Sequence, residues 1–132
     1  MSDPESFALS ELGQIALTVG DRARAVAFYR DALGMKFLFE APPRMAFFDC
    51  GGIRLLLGEA PASATGGAHS SFVLYYRVKD IHAAYDALAA RGVTFDEKPH
   101  LVARLPDREV WLAEFRDPDR NGLALISEVP RR

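Results

Sequence analysis

Two stretches of the chain read as copies of one another. Val19-Gly20-Asp21 leads through a helical pattern to Leu33-Gly34-Met35, and Val78-Lys79-Asp80 leads through another to Arg91-Gly92-Val93. The interval from aspartate to glycine is thirteen residues in the first copy and twelve in the second, and an apolar strand-like run precedes each aspartate. A repeat of this length restricts the chain to folds that use one supersecondary unit twice. A cavity between two related halves is then a natural place for a ligand.

The first unit begins at Gln14 to Val19, where Ile15, Leu17 and Val19 alternate with Gln14, Ala16 and Thr18 as a half-buried strand requires. Asp21 follows at a helix N-cap position. From Arg22 to Leu33 the apolar set Ala25, Val26, Phe28, Tyr29, Ala32 and Leu33 recurs at helical spacing, and Gly34 suits the left-handed residue that ends a helix. Phe28 and Tyr29 are thereby assigned to helix packing. Met35 to Glu40 and Met45 to Cys50 read as strands, Gly51-Gly52 as a tight turn, and Ile53 to Leu57 as the returning strand. Glu59 to Ser70 has no periodicity and reads as a linker. In the second unit Phe72 to Val78 is a strand and Asp80 caps a helix carrying Ile81, Ala84, Tyr85 and Leu88. Gly92 closes that helix and Val93 to Phe95 forms a short strand. A hairpin then turns near Pro106-Asp107, and the Asp117 to Gly122 turn leads into the last strand, Leu123 to Ser127. Two βαβββ modules make an α+β domain of curved sheets with helices outside.

The 132 residues carry sixteen Lys and Arg against eighteen Asp and Glu, with no basic block, which disfavours nucleic acid as a partner. Residues Met1 to Ser10 lack the pattern of a secretory signal and no run is long enough to cross a bilayer, so a cytoplasmic protein with no membrane partner is expected. Cys50 is the lone cysteine and reads as a packed residue.

With VGDRARAVAFYRDALGM in the first half and EFRDPDRNGLALI near the end, the chain resembles the vicinal oxygen chelate superfamily of glyoxalase and bleomycin-resistance proteins. The resemblance spans nearly all of the sequence. It implies the glyoxalase/bleomycin-resistance/dioxygenase fold, two βαβββ modules forming curved mixed sheets around a cavity within a single domain. Module one would cover about residues 10–58, the linker about 59–70 and module two about 71–129. It also implies a homodimer, with metal ligands near the start of the first and fifth strands and on the fourth and eighth. Carried across by position, these fall on Gln14, Leu55, Val73 and Ala124, and a slip of one residue brings Arg54 to the second site. Of the four, only Gln14 has a side-chain lone pair to give, whereas hard divalent ions want several oxygen or imidazole donors. No metal and no cofactor are expected. His69, His82 and His100 share no motif and read as solvated, although a non-standard metal site built from them is the alternative.

In such a fold the concave sheet faces line the pocket. Strand alternation assigns to that face Gln14, Ala16 and Thr18, Ile53, Leu55 and Leu57, Val73, Tyr75 and Arg77, Leu112 and Glu114, and Ala124 and Ile126. This is a mainly apolar lining with a few polar groups, the usual composition of a small-molecule site. Glu114 is the candidate acid or base, or a carboxylate held ionised by a nearby Arg77. Arg77 suits an anionic ligand group, and Tyr75 or Trp111 suits a planar ring. Two functions follow. The first is a metal-free protein that holds a hydrophobic or planar small molecule in cavities between the subunits of a homodimer. The alternative is a glyoxalase-like lyase, isomerase or epimerase in which Glu114 and Gln14 act on a small carbonyl substrate, with or without a divalent ion. An interaction subunit without a ligand is a third reading.

Overall fold

Asp21 and Asp80 each stand in extended backbone just before a helix, and each carboxylate accepts from the backbone N–H three residues on, Arg24 and Ala83, at 3.0 Å. These caps start the two helices of a computed structural model that describes residues 9–41, 43–60 and 72–131. The first module runs β1 (Gln14–Val19), α1 (Arg22–Ala27), a π-helical turn (Phe28–Ala32), β2 (Lys36–Ala41), β3 (Met45–Cys50) and β4 (Ile53–Glu59). The second runs β5 (Val73–Arg77), α2 (Ile81–Ala90), β6 (His100–Arg104), β7 (Arg108–Arg116) and β8 (Gly122–Pro130). Among the described residues there are two four-stranded sheets, ordered β1-β4-β3-β2 and β5-β8-β7-β6. In each, the first strand pairs in parallel with the last and the others are antiparallel. The duplication in the sequence is thus a duplication of topology.

The helix expected over Arg22 to Leu33 is α-helical only to Ala27. Beyond it the ring widens, with the Leu33 N–H bonding the Phe28 carbonyl at 3.0 Å and the Met35 N–H the Tyr29 carbonyl at 2.9 Å, before Gly34 turns the chain at φ 74°. A π turn holds an extra residue, which lets the consecutive aromatics Phe28 and Tyr29 both pack inward. The short strand expected over Val93 to Phe95 is a single bridge, Phe95 to Phe115.

The core lies between the helices and the inner faces of the sheets, where Leu17, Val19, Phe48, Leu55 and Leu57 of sheet one join Ala113, Phe115, Leu123 and Leu125 of sheet two in one cluster. Ile53, Leu55 and Leu57 do not face a cavity. Leu55 is only 2% exposed and pairs in register with Ile15 and Phe48, so it shares their helix-facing side. Leucine stands at 55, 56 and 57 alike, so the alternation of this strand carries no phase. The two-residue Gly51-Gly52 turn fixes the phase instead, by setting Cys50 opposite Ile53. Burying Leu55 and Leu57 contributes roughly 1.5–3 kcal/mol each.

The turn at Asp117 to Gly122 ties the modules together. Asp117 is buried, and its Oδ1 accepts from the backbone N–H groups of Asp119 and Asn121 at 2.8 Å each. Its Oδ2 accepts from the Tyr29 hydroxyl at 2.7 Å and from Asn121 Nδ2 at 2.8 Å. Asn121 Nδ2 also donates to the Thr18 carbonyl at 3.2 Å, and Asp119 Oδ1 takes the Gly20 N–H at 2.6 Å and Arg24 Nη2 at 3.0 Å. A Cβ at residue 20 would stand 3.0 Å from that carboxylate oxygen, so any larger residue there would push against the Asp119 side chain. Burial, then the Asp117 charge, pushes the Tyr29 phenol far above the ordinary tyrosine range, so it remains a donor.

Within this turn Arg120 adopts φ 68°, a left-handed conformation that a side chain disfavours. Arg120→Gly is therefore expected to raise stability by about 0.5–1 kcal/mol, the relieved strain being partly offset by the freer unfolded chain. A thermal melt showing no gain or a loss would mean that the guanidinium stabilises the turn more than its backbone strains it.

Candidate functional site

Each sheet turns its other face to solvent, and strand register sorts that face into rows. On sheet one, Phe39, Phe47, Leu56 and Ala16 lie side by side across all four strands, an apolar row running from one edge to the other. Beside it runs a polar row of Lys36, Asp49, Arg54 and Gln14. The rings of Phe39 and Phe47 sit 4.7 Å apart at 31°, and the Arg54 guanidinium carbon is 5.8 Å from the Phe47 ring centre. Two neighbouring tilted rings with a guanidinium over one of them form an aromatic surface for a planar group. Alternation alone could not find Phe39, Phe47, Arg54 and Leu56. The hairpin register that places them is readable only once the Gly51-Gly52 turn is known to be two residues long.

On sheet two the expected set comes together. Val73, Tyr75 and Arg77 lie opposite Gly122, Ala124 and Ile126, and Leu112 and Glu114 lie opposite Ile126 and Ala124, so all share one face. Tyr75 is 52% exposed. Ala124 is fully buried yet stands outside the core cluster, flanked in register by Tyr75 and Glu114. On sheet one, Gln14 and Thr18 are exposed on the same face as the two rows, whereas Leu55 is in the core as described above. Trp111 is on the helix side, where its ring meets His82 edge-on at 5.5 Å, and it is not available for stacking on the open face.

Glu114 is half-buried on the wall of a recess of about 410 Å³, together with Phe72, Val73, Asp96, Arg116 and Arg120. Arg116 pairs with Asp96 at 3.5 Å. The side chains of Glu114 and Arg120 have no hydrogen bond or ion pair among the described residues. Arg77 does not reach Glu114. Its guanidinium is 81% exposed and stands 4.0 Å from Glu128, two residues beyond its partner Ile126 on the neighbouring strand.

The residues at the expected ligand positions do not fit a hard divalent ion. Gln14 offers one amide oxygen, Val73 and Ala124 offer no side-chain donor, and on the open face of β4 the residue in register with Gln14 is the cation Arg54. Among the described residues no group of three or more His, Cys, Asp or Glu is placed to hold a metal ion. His82 lies on the helix side, and His100 lies on the open face opposite Leu112, with Nδ1 2.9 Å from the Lys98 carbonyl. His69 falls outside the described residues. Cys50 is half-buried, and burial followed by the charge of Asp49 pushes its thiol up, away from the reactive thiolate.

Residues 11–125 match the Glyoxalase/Bleomycin resistance protein/Dioxygenase superfamily, and the chain belongs to that family. A Bacillus subtilis (strain 168) protein of uncharacterized function, YraH, is 36% identical over 125 residues, covering 84% of this chain and 93% of its own. Among solved structures, a superfamily member from Sphaerobacter thermophilus DSM 20745 is 26% identical, with a TM-score of 0.68 over 91% of this chain and 98% of the other. A lactoylglutathione lyase from Agrobacterium tumefaciens is 24% identical, with a TM-score of 0.69 over 91% and 95% of the two chains, a likeness of fold. Among the described residues no helix is long and apolar enough to cross a membrane.

Proposed function

We propose that the chain is a metal-free small-molecule-binding protein that holds a planar or hydrophobic ligand against its open sheet faces, in cavities closed by a second copy. The observation that carries this reading is the row of Phe39, Phe47, Leu56 and Ala16 with Arg54 beside it, apolar surface with one oriented cation. Exposed aromatic surface on a sheet face is costly to leave in water, and Phe39, Val73 and Tyr75 all remain exposed in the isolated chain. A second copy and a ligand together would cover it. The donor-poor ligand positions support binding without a metal. Isothermal titration with planar aromatic compounds tests the reading, and Phe47→Ala is expected to weaken a bound ligand by about tenfold, the loss of one stacking partner. Unchanged affinity in that variant would place the ligand elsewhere.

The Glu114 carboxylate in its recess, without a hydrogen bond or ion pair among the described residues, favours a second reading, a lyase, isomerase or epimerase that moves a proton on a small carbonyl substrate. Glu114→Gln separates the two. Under the binding reading, affinity for a neutral planar ligand changes by less than about threefold, since the side chain keeps its shape. Under the enzymatic reading, turnover of the carbonyl substrate falls by about 10²–10⁴.

A further inference from the structure

The recess at the turn end of sheet two carries two charges of opposite sign that have no hydrogen bond or ion pair among the described residues, Glu114 of β7 and Arg120 of the turn between β7 and β8. The other charges of the lining, Asp96 and Arg116, match each other at 3.5 Å. A complementary ligand therefore brings a positive group to Glu114 and a negative group to Arg120. Ala124 stands opposite Glu114 and Gly122 opposite Arg116, so the turn begins two strand positions, about 7 Å, beyond Glu114. An arginine side chain and a small ligand span that distance together. Arg120 also holds φ 68°, and no contact of its guanidinium among the described residues offsets the strain. Strained backbone of this kind clusters at ligand sites, where the side chain is put to use. The rest of the lining is apolar. Phe72 is 75% and Val73 39% exposed, and Gly122 adds no side chain.

We propose that this recess binds a free amino acid with an apolar side chain, its ammonium against the Glu114 carboxylate, its carboxylate against the Arg120 guanidinium and its side chain against Phe72 and Val73. Both polar contacts are charge-assisted, which places them among the stronger hydrogen bonds a ligand can make. The size suits it. A volume of about 410 Å³ lies in the range of small-molecule pockets. One anion and one cation in the same recess select a zwitterion over the neutral planar ligand of the open faces. The inference shares Glu114 with the enzymatic reading but rests on no proton transfer, so binding and turnover test the two separately.

The test is calorimetric titration of the full chain with L-phenylalanine, and with 3-phenylpropionate and 2-phenylethylamine, which keep the ring and one charge each. One phenylalanine per chain is expected, with each analogue bound at least about tenfold more weakly, the worth of one charge-assisted hydrogen bond. Two variants divide the charges. Glu114→Gln is expected to weaken phenylalanine about tenfold or more and to leave 3-phenylpropionate, which has no ammonium, within about threefold. Arg120→Gly is expected to weaken phenylalanine by a similar factor and to leave 2-phenylethylamine within about threefold. Its melting temperature rises by a few degrees, which separates lost binding from lost folding. No binding at millimolar phenylalanine would overturn the proposal, as would analogues that bind as tightly as phenylalanine. Unchanged phenylalanine affinity in either variant would overturn it too, even where Glu114→Gln abolishes turnover of a carbonyl substrate and the enzymatic reading stands. Phenylalanine binding kept in both recess variants and lost in Ala16→Arg would place the amino acid on the open face of sheet one and overturn it equally.

Discussion

Replacing Asp117 with alanine is expected to lower the unfolding free energy by about 3–5 kcal/mol, the range seen when a buried charged acceptor is removed from its partners. For a domain of this size that is a fall of roughly 10–20 °C in melting temperature. The magnitude follows from what the two oxygens satisfy. Tyr29 is fully buried with its hydroxyl aimed at Oδ2, so without the carboxylate its proton has no acceptor. Asn121 loses the partner of its amide and of its backbone N–H, and the Asp119 N–H is released as well. The loss spreads beyond the turn, because Asn121 and Asp119 are the residues that hold Thr18, Gly20 and Arg24 of the first module. Tyr29→Phe removes donor and proton together and is expected to cost only about 1 kcal/mol. Thermal and urea unfolding of the two variants measure the contrast. Equal, small losses in both would show that the turn is not the joint between the modules.

Ala16→Arg is expected to abolish ligand binding on the open face, by 100-fold or more, while leaving the fold intact. Ala16 ends the row on the edge strand β1, beside Leu56, and its side chain is exposed, so no intrachain packing is lost on substitution. A guanidinium there would be enclosed beneath a bound ring or a second copy without a counter-charge, which costs several kcal/mol in a dry interface. The neighbouring Arg54 adds a like charge. Titration with a planar ligand, beside sedimentation of the free protein, reads both consequences. The proposed dimer is expected to dissociate in the variant. A folded Ala16→Arg protein that binds ligand with unchanged affinity would exclude this face as the site.

Much of the scaffold is legible because its determinants are local. Asp21 and Asp80 cap helices through bonds to residues three positions on, Gly34 and Gly92 end them at φ 74° and 93°, and Gly51-Gly52 makes the hairpin with φ 62° and 91°. The open face of sheet two is legible because Val73, Tyr75 and Arg77 alternate cleanly with Leu74 and Tyr76. Sheet one is not, because Leu55, Leu56 and Leu57 are chemically equivalent and only the hairpin register tells which of them is buried. The π turn is hidden for a different reason. One inserted residue leaves the helical apolar pattern of Phe28, Tyr29, Ala32 and Leu33 looking continuous. The Asp117 turn shows in sequence as a turn, but its work as a joint depends on Tyr29, Gly20 and Arg24, which lie 88, 99 and 95 residues from the aspartates they meet.

We propose that this member of the family uses its open sheet faces to bind a planar ligand without a metal. Calorimetric titration of chelator-treated protein with planar aromatic compounds, repeated after addition of Ni²⁺, Zn²⁺, Fe²⁺ or Mn²⁺, tests it most directly. Saturable binding that no metal strengthens and that Ala16→Arg removes is expected. Binding that appears only with a divalent ion, at one ion per site, would contradict it.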